Sequence, residues 1–334
     1  MAKLVLGIGT SHTPMLTLEA YDWEHRSAAD YGNARLNLSD GRWLSYAELH
    51  DQVGDGFAAV AKPEVLQQQA RICEQALDRL AQTLARAEPD VVIIVGDDQE
   101  ELFTPALNPA VAIFHGESIA TSGKYGQADA PEWMRRMSRG YAMDDVHMFA
   151  GAPQFARELI VGLIDRNIDV AACASVADAG KAGFGHAFGF VIRRLFGRRA
   201  IPVVPLLLNT YYPPNVPSAV RCHDIGKALR EVIDASSSSH RVAIVASGGL
   251  SHFVVDEQLD RRVIEGFAPG KEHLLRSIER GALNSGSSEI LNWILMAGAL
   301  RGLSLQWLEY QPIYRTPAGT GVGVAFAAWS ETAA

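Results

Sequence analysis

The chain has 334 residues, of which 48% are hydrophobic and 20% charged, a balance that builds a folded core and excludes a disordered or collagen-like chain. Its formal net charge of −8 excludes nucleic acid as the principal partner, because phosphate binding needs a dense basic surface. No uncharged apolar run reaches the length of a membrane span, and three cysteines without CxxC spacing (Cys73, Cys173 and Cys222) fit a reducing, cytoplasmic setting.

In chain order, MAKLVLGIGTSH carries too short an apolar run for a signal peptide and predicts a first strand at Leu4–Ile8. A polar and aromatic excursion over residues 20–54 follows, with weak periodicity. Residues 63–87 predict one helix, with Val65, Ile72, Leu77, Leu80 and Leu84 roughly on one face. Further strands are predicted at Val91–Val95, Val111–Phe114, Val170–Ala174, Ile201–Leu207 and Val242–Ala246, and weaker ones near Leu303–Tyr310 and Val322–Ala327. Strands alternating with helices predict an α/β fold whose sheet is covered by helices on both faces. No repeat or Pro/Gly/Ser-rich linker divides the chain, so residues 1–334 read as one domain. A second excursion spans residues 115–150; long irregular segments of this kind serve as lids, binding loops or subunit contacts.

Three glycine motifs are decoys. GIGTSH (Gly7–His12) lacks the third glycine of a dinucleotide fingerprint and runs into Pro14. GLSHF (Gly249–Phe253) lacks the closing glycine of a nucleophile elbow, and GTGVG (Gly319–Gly323) leads into a strand. What remains is polar residues placed directly after strands: His12 after the first, Asp97, Asp98, Gln99 and Glu100 after Val91–Val95, and His252 after VAIVASGGLS. In open α/β sheets, ligands bind at the carboxyl ends of strands. Glu289 joins this set, in the first turn of a helix with Ser287 or Ser288 as N-cap and otherwise apolar. A histidine–carboxylate set with open positions is the pattern of a mononuclear non-haem iron(II) site. The same residue types also satisfy plainer roles, such as a capping glutamate or a core histidine, so the pattern alone stops at an α/β enzyme with a candidate metal site.

These residues resemble the class III (LigB-type) extradiol ring-cleavage dioxygenases, whose motifs run through the chain in the same order. GIGTSHTPML is similar to the strand carrying the family's first iron ligand, here His12, and PDVVIIVGDDQ to the strand that ends in its second. GHAFGFVIRRLFG resembles the segment holding an active-site histidine near the substrate, here His186. The 202–233 stretch, from PVVPLLLNTYYPPN to ALREVI, is similar to another family block. SGGLSH resembles the block ending in the acid/base histidine, here His252; GSSEILNWILMAGAL resembles the helix bearing the carboxylate ligand, here Glu289; and TPAGTGVG resembles the C-terminal strand.

The resemblance implies a single LigB-like α/β domain with a central mixed sheet, an Fe(II) cofactor, and a catecholic substrate cleaved with O2. Gln99 stands where the family carries its second histidine ligand. Ligands His12, Gln99 and Glu289 are therefore implied, with Asp98 and Glu100 as alternative oxygen donors. The GDDQ sequence is similar to a branch typified by 3-O-methylgallate dioxygenases, which implies a gallate-like ring. His252 would take and return a proton, and His186 would hydrogen-bond substrate or oxygen. Lys124, Arg135, Arg136 and Arg315 are the cations at hand for a substrate carboxylate. The 20–54 excursion would serve as an intrachain lid in place of a second subunit, in a homodimer. The alternative is a divalent-metal hydrolase or a binding protein on the same fold.

Overall fold

A computed structural model describes residues 1–124 and 128–331. Residues 125–127, within the second excursion, and 332–334 lie outside the described residues. The chain builds a mixed nine-stranded sheet. Its strands are β1 (Lys3–Thr10), β2 (Val91–Gly96), β3 (Val111–Phe114), β4 (Ala171–Cys173), β5 (Val203–Leu208), β6 (Arg241–Ser247), β7 (His252–Val254), β8 (Ser304–Tyr314) and β9 (Thr320–Ser330). The order is β7-β9-β1-β6-β2-β5-β3-β4, with β8 pairing the other edge of β9. The centre is parallel: β1 pairs β6, β6 pairs β2, and β2 pairs β5. The β9 strand runs antiparallel to β1, β7 and β8. Each sequence-predicted strand is present, several of them a few residues longer, because backbone pairing extends past the last apolar side chain.

Strand β2 is buried at every residue, as its unbroken β-branched run requires of a strand with covered faces. Val91, Ile93 and Val95 pack on one side with helices α3 (Pro153–Ile164), α5 (Ala219–Ala235) and α6 (Ile290–Ala299). Val92 and Ile94 pack on the other with α2 (Pro63–Ala87) and α4 (His186–Leu195). Helix α2 has the bounds its periodicity predicts, but its core face is shifted. Leu66, Gln69 and Cys73 are buried there, whereas Val65 and Ile72 lie at its margin. Gln69 escaped an apolar-periodicity reading because it is polar; its amide N–H donates to the Pro312 carbonyl at 2.8 Å and so tolerates burial.

The 20–54 excursion is docked. Its helix α1 (Glu24–Tyr31) carries Asp30 in its last turn, which accepts two hydrogen bonds from Arg315 at 2.7 and 2.9 Å and one from Thr320 at 2.8 Å, all buried. Leu36 and Leu49 form a small core with Ala318, against which Phe253 and Val254 of β7 pack. The three cysteines are free. Among the described residues, no helix is long and apolar enough to cross a membrane.

Candidate metal centre at the carboxyl ends of three parallel strands

Strands β1, β6 and β2 are adjacent and parallel, so their carboxyl ends open on one place. His12 lies just past β1, Asp97 directly follows β2, and the Gly248–His252 turn follows β6. Glu289 enters at the start of α6, and His186 opens α4. His12, Asp97, His186 and Glu289 each present a ligand atom, and these atoms all lie within 4.8 Å of one another.

The hydrogen bonds fix how these groups face. Ser247 Oγ donates its one proton to the Ala187 carbonyl at 2.7 Å, so it accepts from His12 Nδ1 at 2.9 Å. That assignment leaves Nε2 of His12 with its lone pair. Nε2 is buried without a hydrogen-bond partner and lies 3.4 Å from Glu289 Oε2. His252 Nδ1 similarly donates to the Leu250 carbonyl at 2.9 Å, leaving a bare Nε2 3.7 Å from the same Glu289 oxygen. Burial alone would raise the Glu289 carboxyl. The facing His12 and His252 rings in their protonated forms, with the Gly249 N–H donated at 2.6 Å, outweigh it and pull the group below the usual carboxylate range.

Glycines make these approaches possible. A Cβ on Gly249 would overlap the His252 ring, and one on Gly185 would overlap the Glu101 carboxylate. The turn carrying His252 is anchored from behind by Asp260, which accepts from Ser251 N and Oγ at 2.8 Å each and from the Tyr310 hydroxyl at 2.7 Å. Ser287 does not cap α6. Its hydroxyl bridges the backbone of His252, accepting from N at 2.9 Å and donating to O at 2.8 Å. The hydroxyl of Ser288 turns back to the Ser285 carbonyl at 2.6 Å. A 3-10 turn, Ser285–Glu289, precedes the α-helix, so the predicted serine cap is absent.

The four acids after β2 divide into separate tasks. Asp97 is fully buried in the cluster; burial and then Glu289 push its carboxyl up. Asp98 turns away and accepts from Leu102 N at 2.8 Å and Phe103 N at 3.1 Å. Burial, followed by the nearby Glu101, pushes it up to about 7. Glu100 is exposed in a left-handed conformation. Glu101, which sequence reasoning missed, is buried and accepts from His186 Nδ1 at 2.7 Å. Burial would lower the His186 imidazolium, but the Glu101 ion pair holds it up to about 10. Gln99 connects the two tasks: its amide N–H donates to Asp97 Oδ2 at 3.1 Å and its backbone N–H to Glu101 Oε2 at 3.3 Å. Gln99 thus links the two acids, its side chain on Asp97 and its backbone on Glu101.

Of the cations predicted for a substrate carboxylate, Arg315 is committed to Asp30, and Arg135 and Arg136 to Glu132, with Arg136 also reaching Asp22. Lys124 donates to the Glu100 carbonyl at 3.4 Å. A cation not singled out in the sequence is Arg26 of α1. It is half-buried, and its Nε has no hydrogen-bond partner. Burial, then the charge of Arg315, pulls its ionisation down. It shares this corner with Asp30 and Tyr141. The Tyr141 hydroxyl donates to the His12 carbonyl at 2.7 Å, and its ring lies edge-on to His186 at 5.6 Å.

The donor chemistry fits a divalent metal: two buried carboxylates share one cluster with an imidazole nitrogen that has no hydrogen-bond partner. Comparison with known proteins agrees. Residues 59–325 match the family described as the catalytic LigB subunit of aromatic ring-opening dioxygenase. A gallate dioxygenase of Pseudomonas putida is 29% identical over 134 residues, covering 36% of this chain and 38% of that protein. The chain therefore spans well under half the length of that curated relative. With the family match extending over most of the sequence, the chain belongs to the LigB family of aromatic ring-opening dioxygenases.

Proposed function

We propose that the protein is a non-haem Fe(II)-dependent extradiol dioxygenase that opens the ring of a gallate-like catechol. The observation that carries this reading is the pair of bare imidazole nitrogens, His12 Nε2 and His252 Nε2, facing one Glu289 oxygen at 3.4 and 3.7 Å. His12 and Glu289, with an oxygen donor from the 97–100 segment, would hold the metal. Bound there, iron supplies a centre at which a catechol and O2 meet in near-attack geometry and exchange electrons.

The remaining steps belong to the chain. His252 is fixed by Leu250 with its lone pair inward, so it takes the proton of a substrate hydroxyl as the ring docks and returns it later in the cycle. His186, charged through Glu101, donates a hydrogen bond to negative charge developing on substrate or oxygen. The buried walls keep water from the reacting groups. The docked 20–54 segment, packed beside β7, acts as the lid over this face.

Arg26 lies in that segment, where one carboxylate, Asp30, faces two guanidinium groups and leaves positive charge in excess. It is the natural anchor for a substrate carboxylate. Arg26→Met should raise KM for a carboxylated catechol by about tenfold or more, since a hydrogen bond to a charged group contributes about 1.5–3 kcal/mol. KM for a catechol without a carboxylate should stay unchanged; equal losses for both would refute the anchor.

The direct test is an oxygen electrode trace on protein reconstituted anaerobically with Fe(II), using gallate, 3-O-methylgallate and protocatechuate. Oxygen uptake with at least one of them, lost in His12→Ala, is the expected result. A metal-loaded protein that consumes no oxygen across the panel would favour the hydrolase or binding alternative.

A further inference from the structure

Gln99 stands where a LigB-type site carries its second histidine ligand, and the chain must replace that donor. Asp97 has the geometry for it. It is the residue directly after β2, is fully buried, and offers a carboxylate oxygen within 4.8 Å of the ligand atoms of His12, His186 and Glu289. Among the described residues its carboxylate has two side-chain donors, Gln99 Nε2 at 3.1 Å and Asn292 Nδ2 at 3.5 Å, the second at the limit of a hydrogen bond. A second carboxylate, Glu289, is buried in the same cluster, and His12 Nε2 there has no partner. Two buried carboxylates beside an imidazole nitrogen without a partner form a donor set that a bound cation would satisfy.

We propose that Asp97, not Gln99, supplies the third protein ligand of the metal, and that Gln99 is a positioning residue holding that carboxylate through its amide. The proposal rests on the reading that a divalent metal occupies this centre. One imidazole and two carboxylates balance the double charge of the ion, whereas two imidazoles and one carboxylate leave it positive. An oxygen-rich set of this kind accepts Mn(II) as well as Fe(II). Mn(II) is therefore a usable probe, and its binding is read without oxygen or an aromatic substrate.

The experiment is titration of the metal-stripped full chain with Mn(II), following free ion by electron paramagnetic resonance, in wild type, Asp97→Asn, Gln99→Ala and Gln99→Glu. Asp97→Asn should weaken binding by about a hundredfold, and Gln99→Ala by about tenfold, the size expected on loss of an outer hydrogen-bonding partner. Gln99→Glu separates the two roles by sign. If Gln99 is a ligand, a carboxylate in its place tightens Mn(II); if it positions Asp97, a like charge against that carboxylate loosens it.

Thermal melting supplies the second readout. Without metal, Asp97→Asn should melt at or above the wild-type temperature, since it removes a buried charge beside Glu289. With saturating Mn(II) the wild type should rise and the variant should not. A purely structural Asp97 would instead lower the melting temperature in both conditions, and that result overturns the proposal. So does wild-type Mn(II) affinity in Asp97→Asn, or tighter binding in Gln99→Glu. Mn(II) held through Asp97 by a protein that consumes no oxygen would refute the ring-cleavage reading and leave this assignment intact.

Discussion

His252→Ala is expected to lower kcat for ring cleavage by about 10²–10⁴-fold, the range a positioned general base contributes, while metal content stays near the wild-type value. The asymmetry follows from the geometry. His252 Nε2 is 3.7 Å from Glu289 Oε2 and is not among the four clustered ligand residues, and its ring is half-buried, open to an incoming substrate. Its Nδ1 is tied to a backbone carbonyl, so the fold fixes the ring with Nε2 turned toward Glu289. Steady-state oxygen uptake paired with metal analysis of the same sample checks it. A parallel loss of metal would make His252 a ligand and move the proton-transfer role elsewhere.

Asp30→Ala is expected to destabilise the fold by about 3–5 kcal/mol, the cost of leaving a buried guanidinium without its partner. Asp30 and Arg315 are 4% and 6% exposed, too dry for water to replace the lost carboxylate. The pair joins α1 of the first excursion to the loop between β8 and β9, so its loss should also free the 20–54 segment from β7. Chemical denaturation measures the first effect and limited proteolysis within residues 32–45 the second. The double variant Asp30→Leu, Arg315→Met should lose less than the sum of the single changes, because no unpaired charge remains. An unchanged unfolding midpoint in Asp30→Ala would show that the ion pair does not clamp the segment.

Much of this architecture is readable in the residues. Unbroken β-branched runs such as Val91–Val95 can bury on both faces only as central strands, and α2 announces its bounds through Pro63 and its apolar repeat. Histidines placed directly after strands, and a glutamate opening an apolar helix, are chemically conspicuous, and the fold brings His12, His186, His252 and Glu289 together. Strand order is not readable. That β1, β6 and β2 lie side by side follows from packing between segments about 240 (β1 to β6) and about 150 (β6 to β2) residues apart in sequence, where loop closure leaves no local trace.

The division of labour within GDDQEE is hidden for a different reason. Five successive polar residues after a glycine carry no periodicity, and only the turn after β2 decides that Asp97 points inward, Asp98 caps the turn and Glu101 reaches His186. Arg26 carries no signal in the sequence and Arg315 reads only as a cation available to a substrate carboxylate; their burial depends on how the excursion docks. Ser287 and Ser288 read as helix caps because their neighbours fit the pattern, yet their hydroxyls are taken by the His252 backbone and by a 3-10 turn.

Isotope labelling tests the central claim most directly. The Fe(II)-loaded protein is supplied with 18O2 and the gallate-type substrate that gives the fastest oxygen uptake, and the product is weighed by mass spectrometry. The account predicts a ring-opened acid whose mass shows both atoms of one O2 molecule, allowing for exchange of a carbonyl oxygen with water. A product carrying no 18O, with label entering only from H2 18O, would mean hydrolysis and would contradict the assignment.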